Sequence, residues 1–169
     1  MAMKLSVGKI AFPIEFDNGD KDTIYFNPND SDLASRLMSA KDKIDKKINA
    51  INTEDFNLLN DGSVEMPKDI NDVENLSNEQ HEVLMKKAEQ MIKLMQDTKN
   101  IIFEELDRAF DSNISSVVFK HCSPFAVVNG EYFITQFINA ITPEIQKHIK
   151  KSNSDMDRKM AKYVNKYRR

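Results

Sequence analysis

Apolar and polar residues alternate near the start of the chain, which is the period of a strand with one buried face. The alternating apolar positions are Ile10, Phe12, Ile14 and Phe16. Residues 17–20 read Asp-Asn-Gly-Asp, and Asn and Gly accept the positive φ angles of a tight turn. Residues 23–26, Thr-Ile-Tyr-Phe, supply the returning strand. The pattern predicts a β-hairpin over residues 5–27, and Pro13 places its strand at an edge because proline cannot donate a ladder hydrogen bond.

Two longer segments have the helical period instead. Apolar side chains recur three or four positions apart over residues 31–51 and again over residues 78–110, which predicts two amphipathic helices. Ser77 and Gln80 fit a capping box at the start of the second helix. The first apolar stripe is Leu33, Leu37, Ala40, Ile44, Ile48 and Ile51. The second is Leu84, Ala88, Met91, Met95, Ile102, Leu106 and Ala109 or Phe110. Residues 52–77, rich in Asn, Asp, Glu and Ser, have no clean period and predict a loop.

The last third of the chain leaves two local alternatives open. Residues 115–119, Ser-Ser-Val-Val-Phe, fit either a strand or one turn of a short helix. Asn129 and Gly130 predict a turn, and a helix is predicted over residues 131–151. Pro143 inside that helix indicates either a fresh helix start or a kink in a continuous helix.

These elements predict a mainly α fold with a small N-terminal β-hairpin, of the α+β class, whose long helices pair antiparallel. Residues 1–151 form a single domain by this interpretation, and residues 152–169 form a basic C-terminal helical tail. Two strands alone are only marginally stable in water. The hairpin is therefore expected to pack on helices or to add to the sheet of another chain.

Charge divides the chain unevenly. The 25 residues from Ile145 to Arg169 hold nine Lys or Arg and two Asp or Glu, a net charge of +7, whereas the first 144 residues carry −10. An acidic body with a basic end can associate head to tail or offer that end to an acidic partner. Aromatic Tyr163 and Tyr167 among those cations also fit nucleic-acid binding by charge and stacking, although the acidic body opposes it.

Features that are absent from the sequence bear on the cellular compartment and on possible cofactors. No apolar run is long enough for a signal peptide or a membrane-spanning helix, and the single cysteine, Cys122, cannot form an internal disulfide. A cytoplasmic location is expected. The four glycines are isolated, and the chain has no Cys-x-x-Cys or His-x-x-x-His. No catalytic residue, cofactor or metal site is predicted, and the protein is interpreted as non-enzymatic.

Two clusters have a chemical and a structural interpretation. His121 beside Cys122 suggests a thiol with its base, but sequence neighbours usually point apart, and a buried loop thiol is the other interpretation. Carboxylates gather near residue 110, where they fit either a divalent-ion site or a solvated helix face. The acidic residues are Glu104, Glu105, Asp107 and Asp111. Because acids are unfavourable at a helix C-terminus, a basic group, such as the C-terminal tail, is expected to dock there.

A resemblance to a known family comes from the second half of the chain. Residues 102–110, Ile-Phe-Glu-Glu-Leu-Asp-Arg-Ala-Phe, are followed by Val117-Val118-Phe119 and by an aromatic helix through Phe133 and Phe137. This order, with its Lys/Arg/Tyr-rich end, resembles the tail assembly chaperones of siphophages and prophages of Gram-positive bacteria. The likeness covers residues 100–169 and, more weakly, 10–51. Where the family commonly has glycines after the helix and after the Val-Phe segment, this chain has Asp111, Ser112 and Lys120.

The resemblance implies a protein that holds the tape measure protein, a long helical client, while the tail tube assembles in the bacterial host cell. It implies no catalytic residues. The alternative hypothesis is a nucleic-acid-binding regulator that uses the basic C-terminal helix. The Met-rich stripe fits either an adaptable binding surface or ordinary core filling. A homo-oligomer is expected, and the predicted partner-binding residues are Met91, Met95, Phe133, Phe137, Lys159, Lys162, Tyr163, Lys166 and Tyr167.

Overall fold

The computed structural model describes the backbone of residues 3–59 and 76–167, and the side chains of residues 3–53 and 76–161. The protein is mainly α with a small antiparallel hairpin and long helices, which confirms the predicted fold class. The elements are β1 (Ile10–Glu15), β2 (Lys21–Phe26), α1 (Leu33–Leu59), α2 (Asn78–Phe110), α3 (Ser115–Val118), β3 (Val127–Val128), β4 (Glu131–Tyr132) and α4 (Phe133–Tyr167).

The chain divides into two compact units. The first unit comprises Met1–Lys41 and Phe103–Arg169, and the second comprises Asp42–Ile102. Among the described residues of the second unit, Ile44, Ile48, Ile51 and Ile102 are buried apolar residues. The first unit contains the β1–β2 hairpin, the short elements α3, β3 and β4, and all of α4. Its buried residues include members of the hairpin, of the first turns of α1, of the last turns of α2 and of α4.

The hairpin forms where the alternation predicts it. Strand β1 pairs antiparallel with β2, with Ile10 opposite Phe26 and Glu15 opposite Lys21. Gly19 takes a positive φ of 87° in the turn, which a residue without Cβ accepts freely. The ring of Phe26 is fully buried and meets the ring of Phe110 edge-on at 5.4 Å. The hairpin is thus stabilised by packing on the end of α2, as two isolated strands would require.

Helix α1 buries every member of its predicted stripe, from Leu33 to Ile51. The prediction of a loop over residues 52–77 is wrong for residues 52–59, which form the last two turns of α1. Within these turns the Thr53 hydroxyl donates to the Asn49 carbonyl at 2.9 Å. The rest of the predicted loop, residues 60–75, lies outside the described residues.

Helix α2 has the predicted bounds and the predicted capping box. The Gln80 backbone N–H donates to Ser77 Oγ at 3.2 Å, and the Ser77 backbone N–H donates to Gln80 Oε1 at 2.9 Å. Its buried face differs from the predicted stripe, because Ala88 and Met95 are exposed while Lys87 and Thr98 are buried. A Lys stem and a Thr methyl group both offer apolar surface, so a pattern of apolar residue types alone misplaces this face.

The end of α2 is a Schellman motif built on Asp111, which takes a positive φ of 48°. The Ser112 N–H donates to the Asp107 carbonyl at 3.1 Å, and the Asp111 N–H donates to the Arg108 carbonyl at 3.4 Å. Asp111 therefore makes the left-handed turn for which glycine is the usual residue.

Two cations complete this helix end. Arg36 Nε donates to the Ala109 carbonyl at 2.9 Å, and Lys9 Nζ donates to the Asp111 carbonyl at 2.7 Å. Positive charge is favourable at a helix C-terminus, where carbonyl groups lack helical partners. The Arg36 contact also places the first turns of α1 beside the last turn of α2.

Helix α4 continues past residue 151, where the predicted helix ends. The helix runs without a break from Phe133 to Tyr167, through Pro143 and through the start of the predicted tail at residue 152. Proline removes a single helical hydrogen bond, and the Thr142 hydroxyl donates to the Ile138 carbonyl at 2.7 Å beside it. Of the two alternatives for residues 115–119, a strand or a short helix, the structure has the short helix, α3. Among the described residues, no helix has the length and apolar character needed to span a membrane.

We expect the Phe110→Ala variant to lower the free energy of unfolding by about 3–5 kcal/mol, the usual cost of deleting a buried aromatic ring. Phe110 is 1% exposed and packs against rings from two other elements, so the hole cannot close easily. Urea unfolding followed by circular dichroism measures the change, with Phe110→Leu as the milder control. A loss below about 1 kcal/mol would contradict a central role for this ring.

The Asp30–Arg36 pair predicts a dependence of stability on pH. Arg36 donates to Asp30 Oδ2 at 2.8 Å and the Asp32 N–H donates to Oδ1 at 3.0 Å, and these bonds hold the pKa of Asp30 below its ordinary value of 3.8. Because the folded pKa is the lower one, the stabilisation is present above the unfolded pKa and is lost as pH falls through the folded value.

The Asp30→Asn variant should therefore be less stable than the wild type at neutral pH, and the difference should shrink towards about pH 3. Urea unfolding of both proteins across this range measures it. Asp157→Asn, which removes an exposed charge on α4, is the matched control and should change stability little. A difference between wild type and Asp30→Asn that stays constant with pH would contradict the expected linkage.

Candidate functional site

The first unit contains a cleft of about 500 Å³ between β1, the loop after α3 and the first two turns of α4. We call it the Phe cleft, after two of its lining residues, Phe133 and Phe137. Its other lining residues come from the hairpin, from residues 118–122 and from the turn between β3 and β4. Its walls are mainly apolar, which suits an apolar ligand or an apolar side chain of a partner.

The hairpin supplies one wall. Ile14 and Phe16 are half-buried on one face of the hairpin, and Glu15 and Asp17 are exposed at the rim. The Phe16 N–H donates to the Asp20 carbonyl at 2.8 Å, so the last residue of this wall is fixed by the turn itself. The alternation of apolar and polar residues therefore determines both the hairpin core and the side chains that this wall presents.

A loop tied to the hairpin turn supplies the second wall. His121 Nε2 lies 3.0 Å from Asp20 Oδ2, and Lys120 Nζ lies 3.5 Å from Asp22 Oδ2. The His121 ring also meets the Phe16 ring edge-on at 4.8 Å. These contacts hold residues 120–122 against the hairpin and so set the width of the cleft on this side.

Helix α4 supplies the third wall, and its aromatic residues are supported from behind. The Phe133 ring lies 6.0 Å from the Phe119 ring, and the Phe137 ring lies 6.4 Å from that of buried Phe110. Both residues are half-buried, so each has one face on the protein interior and another at the cleft. Ala140, one turn after Gln136, continues this wall with an exposed small side chain.

A two-residue turn fixes the start of α4. Asn129 and Gly130 take positive φ angles of 53° and 83°, as a tight hairpin turn needs, and the strands they join are only two residues each. The Gln136 side-chain amide donates to the Val128 carbonyl. The Phe133 N–H donates to the Ala126 carbonyl at 2.8 Å, which satisfies one of the free amides at the helix start. The turn was predicted, whereas the two short strands were not.

Charge at the Phe cleft is mainly negative. Glu15 and Asp17 are its carboxylates, and His121 is the one basic side chain among the residues described as lining it. Glu15 is paired with Lys21 at 3.2 Å. An apolar segment with a cationic residue beside it matches this combination of apolar walls and acidic rim.

Cys122 lies in the cleft wall, and its environment favours the interpretation as a structural thiol. Burial and, to a smaller extent, the negative charge of Asp17 raise the pKa of the Cys122 thiol. A nucleophilic cysteine needs the opposite shift, because the thiolate is the reactive form. The imidazole of His121 is directed at Asp20, whose carboxylate it contacts.

Three of the four acidic residues near the end of α2, namely Glu105, Asp107 and Asp111, have structural partners. Asp107 accepts hydrogen bonds from the N–H and hydroxyl of Ser115 at 2.8 and 2.9 Å, so it caps the start of α3. Glu105 pairs with Arg108, and Asp111 lies 4.0 Å from Lys9. The described residues contain no group of three or more acidic, His or Cys side chains placed to hold a metal ion. The base expected at this helix end is Lys9 here, together with Arg36.

The predicted partner-binding residues fall in three places. Phe133 and Phe137 share the Phe cleft. Met91 is half-buried and Met95 is 38% exposed, both on the part of α2 in the second unit. Lys159 is exposed on α4. The side chains of Lys162, Tyr163, Lys166 and Tyr167 lie outside the described residues, although their backbone belongs to α4.

A second surface is the basic end of α4, from Lys150 to Ala161. Its exposed cations are Lys150, Lys151, Arg158 and Lys159. Met156 and Met160 are 63% and 66% exposed on the same stretch of helix, so it presents apolar as well as positive surface. This combination is typical of a helix that docks on a partner.

Sequence reasoning missed the hairpin side of the Phe cleft. Ile14 and Phe16 were interpreted only as the buried face of a strand, and Ala140 was not singled out. The usable signal was Phe16, an apolar residue directly after β1 and before the turn. Comparisons of the chain with known protein families, with curated proteins and with solved structures found no match.

The Cys122 environment predicts slow alkylation. At neutral pH iodoacetamide should modify Cys122 more slowly than it modifies glutathione, because the raised pKa leaves less thiolate. Asp17→Asn should speed the reaction, since it removes a negative charge beside the thiol. His121→Ala tests the alternative of a catalytic pair by mass spectrometry of the same reaction. A fall in rate of about a hundredfold, typical of losing a general base, would contradict the structural interpretation.

Proposed function

We propose that this protein is a non-enzymatic tail-morphogenesis protein that holds a helical client, such as a tape measure protein, while a phage tail assembles. One observation carries the proposal: Phe133 and Phe137 lie one helical turn apart and line an apolar cleft of about 500 Å³. A groove walled by a helix and lined with aromatic rings suits the apolar face of another helix. The resemblance of residues 100–169 to tail assembly chaperones supplies the class of client and places the work in the cytoplasm of the bacterial host cell.

The size of the Phe cleft supports binding of side chains rather than of a whole helix. Its volume lies within the range of about 300–1,000 Å³ that is usual for pockets taking small ligands. A client helix would insert apolar anchors spaced three or four residues apart, since these share one helical face. On the second unit, Met91 and Met95 form a flexible apolar surface. Such a surface adapts to different anchor side chains of a client.

Charge supports a preferred orientation of the client. The carboxylates of Glu15 and Asp17 at the rim favour a client with Lys or Arg next to its anchors. Lys159 on the basic end favours acidic stretches of the client, and in this proposal Lys162, Tyr163, Lys166 and Tyr167 extend that role. A long client has room for many copies, so repeated binding along it accounts for the expected self-association.

The alternative function, nucleic-acid binding, is favoured by the basic end alone. Four exposed cations over residues 150–159 offer contacts for phosphates. Asp155 and Asp157 interrupt this surface, and Arg158 lies 3.8 Å from Asp155. If this alternative is correct, the protein is retained on duplex DNA and released steeply as salt rises.

Co-expression with a fragment of the tape measure protein from the same genome tests the proposal. We expect a soluble complex that elutes as one species, with the fragment insoluble when expressed alone. Ala140→Arg, which places a bulky cation in the Phe cleft, should weaken binding of a labelled client helix by about tenfold or more in fluorescence anisotropy. Ala140 is exposed, so this variant should leave folding intact.

Asn139→Arg is the matched control, since Asn139 is the neighbouring exposed residue on the same helix and does not line the cleft. Its affinity for the client should equal that of the wild type. Equal weakening by both variants would indicate a general charge effect and would exclude the cleft as the binding site. Retention on DNA without any client complex would replace the proposal with its alternative.

A further inference from the structure

The seven residues before β1 carry unusually exposed apolar side chains. We call residues 3–9 the N-terminal arm; none of them is part of a strand or helix. Met3, Leu5 and Val7 are 84%, 80% and 66% exposed. They alternate with Lys4, Ser6 and Gly8, so an extended arm carries all three apolar side chains on one side. Three such side chains within five residues form an apolar strip that favours burial against a partner surface.

The root of the arm is fixed to the protein. Lys9 Nζ donates to the Asp111 carbonyl at 2.7 Å, beyond the end of α2. Gly8 takes a positive φ of 68°, and a Cβ at this position would come within 3.3 Å of the Asn27 side chain. The direction in which the arm leaves the body is therefore set by a conformation and a close contact that suit glycine.

We propose that the N-terminal arm of one copy docks in the Phe cleft of a second copy of this chain. The two surfaces are complementary in chemistry. The arm offers an apolar strip flanked by the long side chain of Lys4, and the cleft offers apolar walls with Glu15 and Asp17 at the rim. Met3, Leu5 and Val7 meet the wall formed by Phe16, Phe133 and Phe137, while Lys4 meets the rim carboxylates.

The length of the arm favours a second copy over the arm's own cleft. The cleft begins at Ile14, five residues along β1 from Lys9, which is about 17 Å at the rise of a strand. Val7 is only two residues from the anchored Lys9 and spans about 7 Å, so it cannot reach that far. Of the described apolar side chains of the arm, only Met3, about 20 Å from Lys9 when fully extended, reaches the cleft of its own chain, and only after the arm reverses. A second copy's cleft receives all three apolar side chains.

Reciprocal docking of two arms closes a two-fold dimer, because each copy gives an arm and receives one. Sedimentation equilibrium of the full chain should show a weight-average mass that rises from monomer towards dimer with concentration. The variant Met3→Ser/Leu5→Ser/Val7→Ser should raise the dissociation constant by about tenfold or more. The matched control is Met38→Ser/Val127→Ser, which removes apolar residues of similar exposure, 71% and 68%, and should dimerise like the wild type.

Mixing two defective variants separates docking between copies from docking within one copy. The arm variant keeps its cleft, and Ala140→Arg keeps its arm but has a blocked cleft. Each should be largely monomeric alone, and an equimolar mixture should form a heterodimer through the one intact arm and the one intact cleft. Charge reversal adds a second check, since Lys4→Asp should weaken association and Asp17→Lys in the partner should restore it. Circular dichroism confirms that each variant is folded.

A wild-type chain that stays monomeric at its highest soluble concentration would overturn the inference. So would an arm variant that associates as strongly as the wild type, or a mixture with no heterodimer. The association experiments contain no client. They can therefore fail while client binding succeeds, and they can succeed while client binding fails. The arm variant should also bind the labelled client helix at least as tightly as the wild type, because no arm competes for its cleft.

Discussion

The packing of Phe110 is the interaction on which the first unit depends. This ring lies at the last residue of α2 and meets Phe26 of the hairpin at 5.4 Å and Phe137 of α4 at 6.4 Å. Three elements that are far apart in sequence therefore share one fully buried contact point. The Schellman motif at Asp111 ends α2 directly after Phe110, and Lys9 and Arg36 donate to the carbonyls around it. Helix capping, charge and aromatic packing thus all act at the same few residues, and losing one weakens the others.

The Phe cleft is the solvent side of this packing. Phe137 is held by Phe110, and Phe133 is held by Phe119, which stacks on Phe103 at 5.1 Å. The same rings thus contact the interior and line the cleft, so replacing them would change stability and the shape of the cleft together. Ala140 and Asp17 line the cleft and are exposed, and they allow the two to be separated. A preformed rigid wall also lowers the entropy that is lost when a partner binds.

Elements set by local rules were predictable from the sequence. The stripe from Leu33 to Ile51 is buried as a helical period requires, and the Ser77–Gln80 capping box forms with both of its hydrogen bonds. Features set by distant contacts were not. Lys87 and Thr98 are buried on α2 where residue type alone selects Ala88 and Met95. The Phe cleft unites residues 14–17, 121–122 and 133–140, and sequence patterns place Ile14, Phe16, Phe133 and Phe137 on element faces without showing that these faces meet.

Pro143 gives α4 a single point of mechanical weakness. A proline has no N–H, so the carbonyl of Asn139 loses its helical partner, and the Thr142 hydroxyl competes for the neighbouring Ile138 carbonyl. This point lies between the residues that line the Phe cleft and the basic end of the same helix. Bending of α4 is therefore expected to be easiest at Pro143, which separates the turns that line the Phe cleft from the basic end.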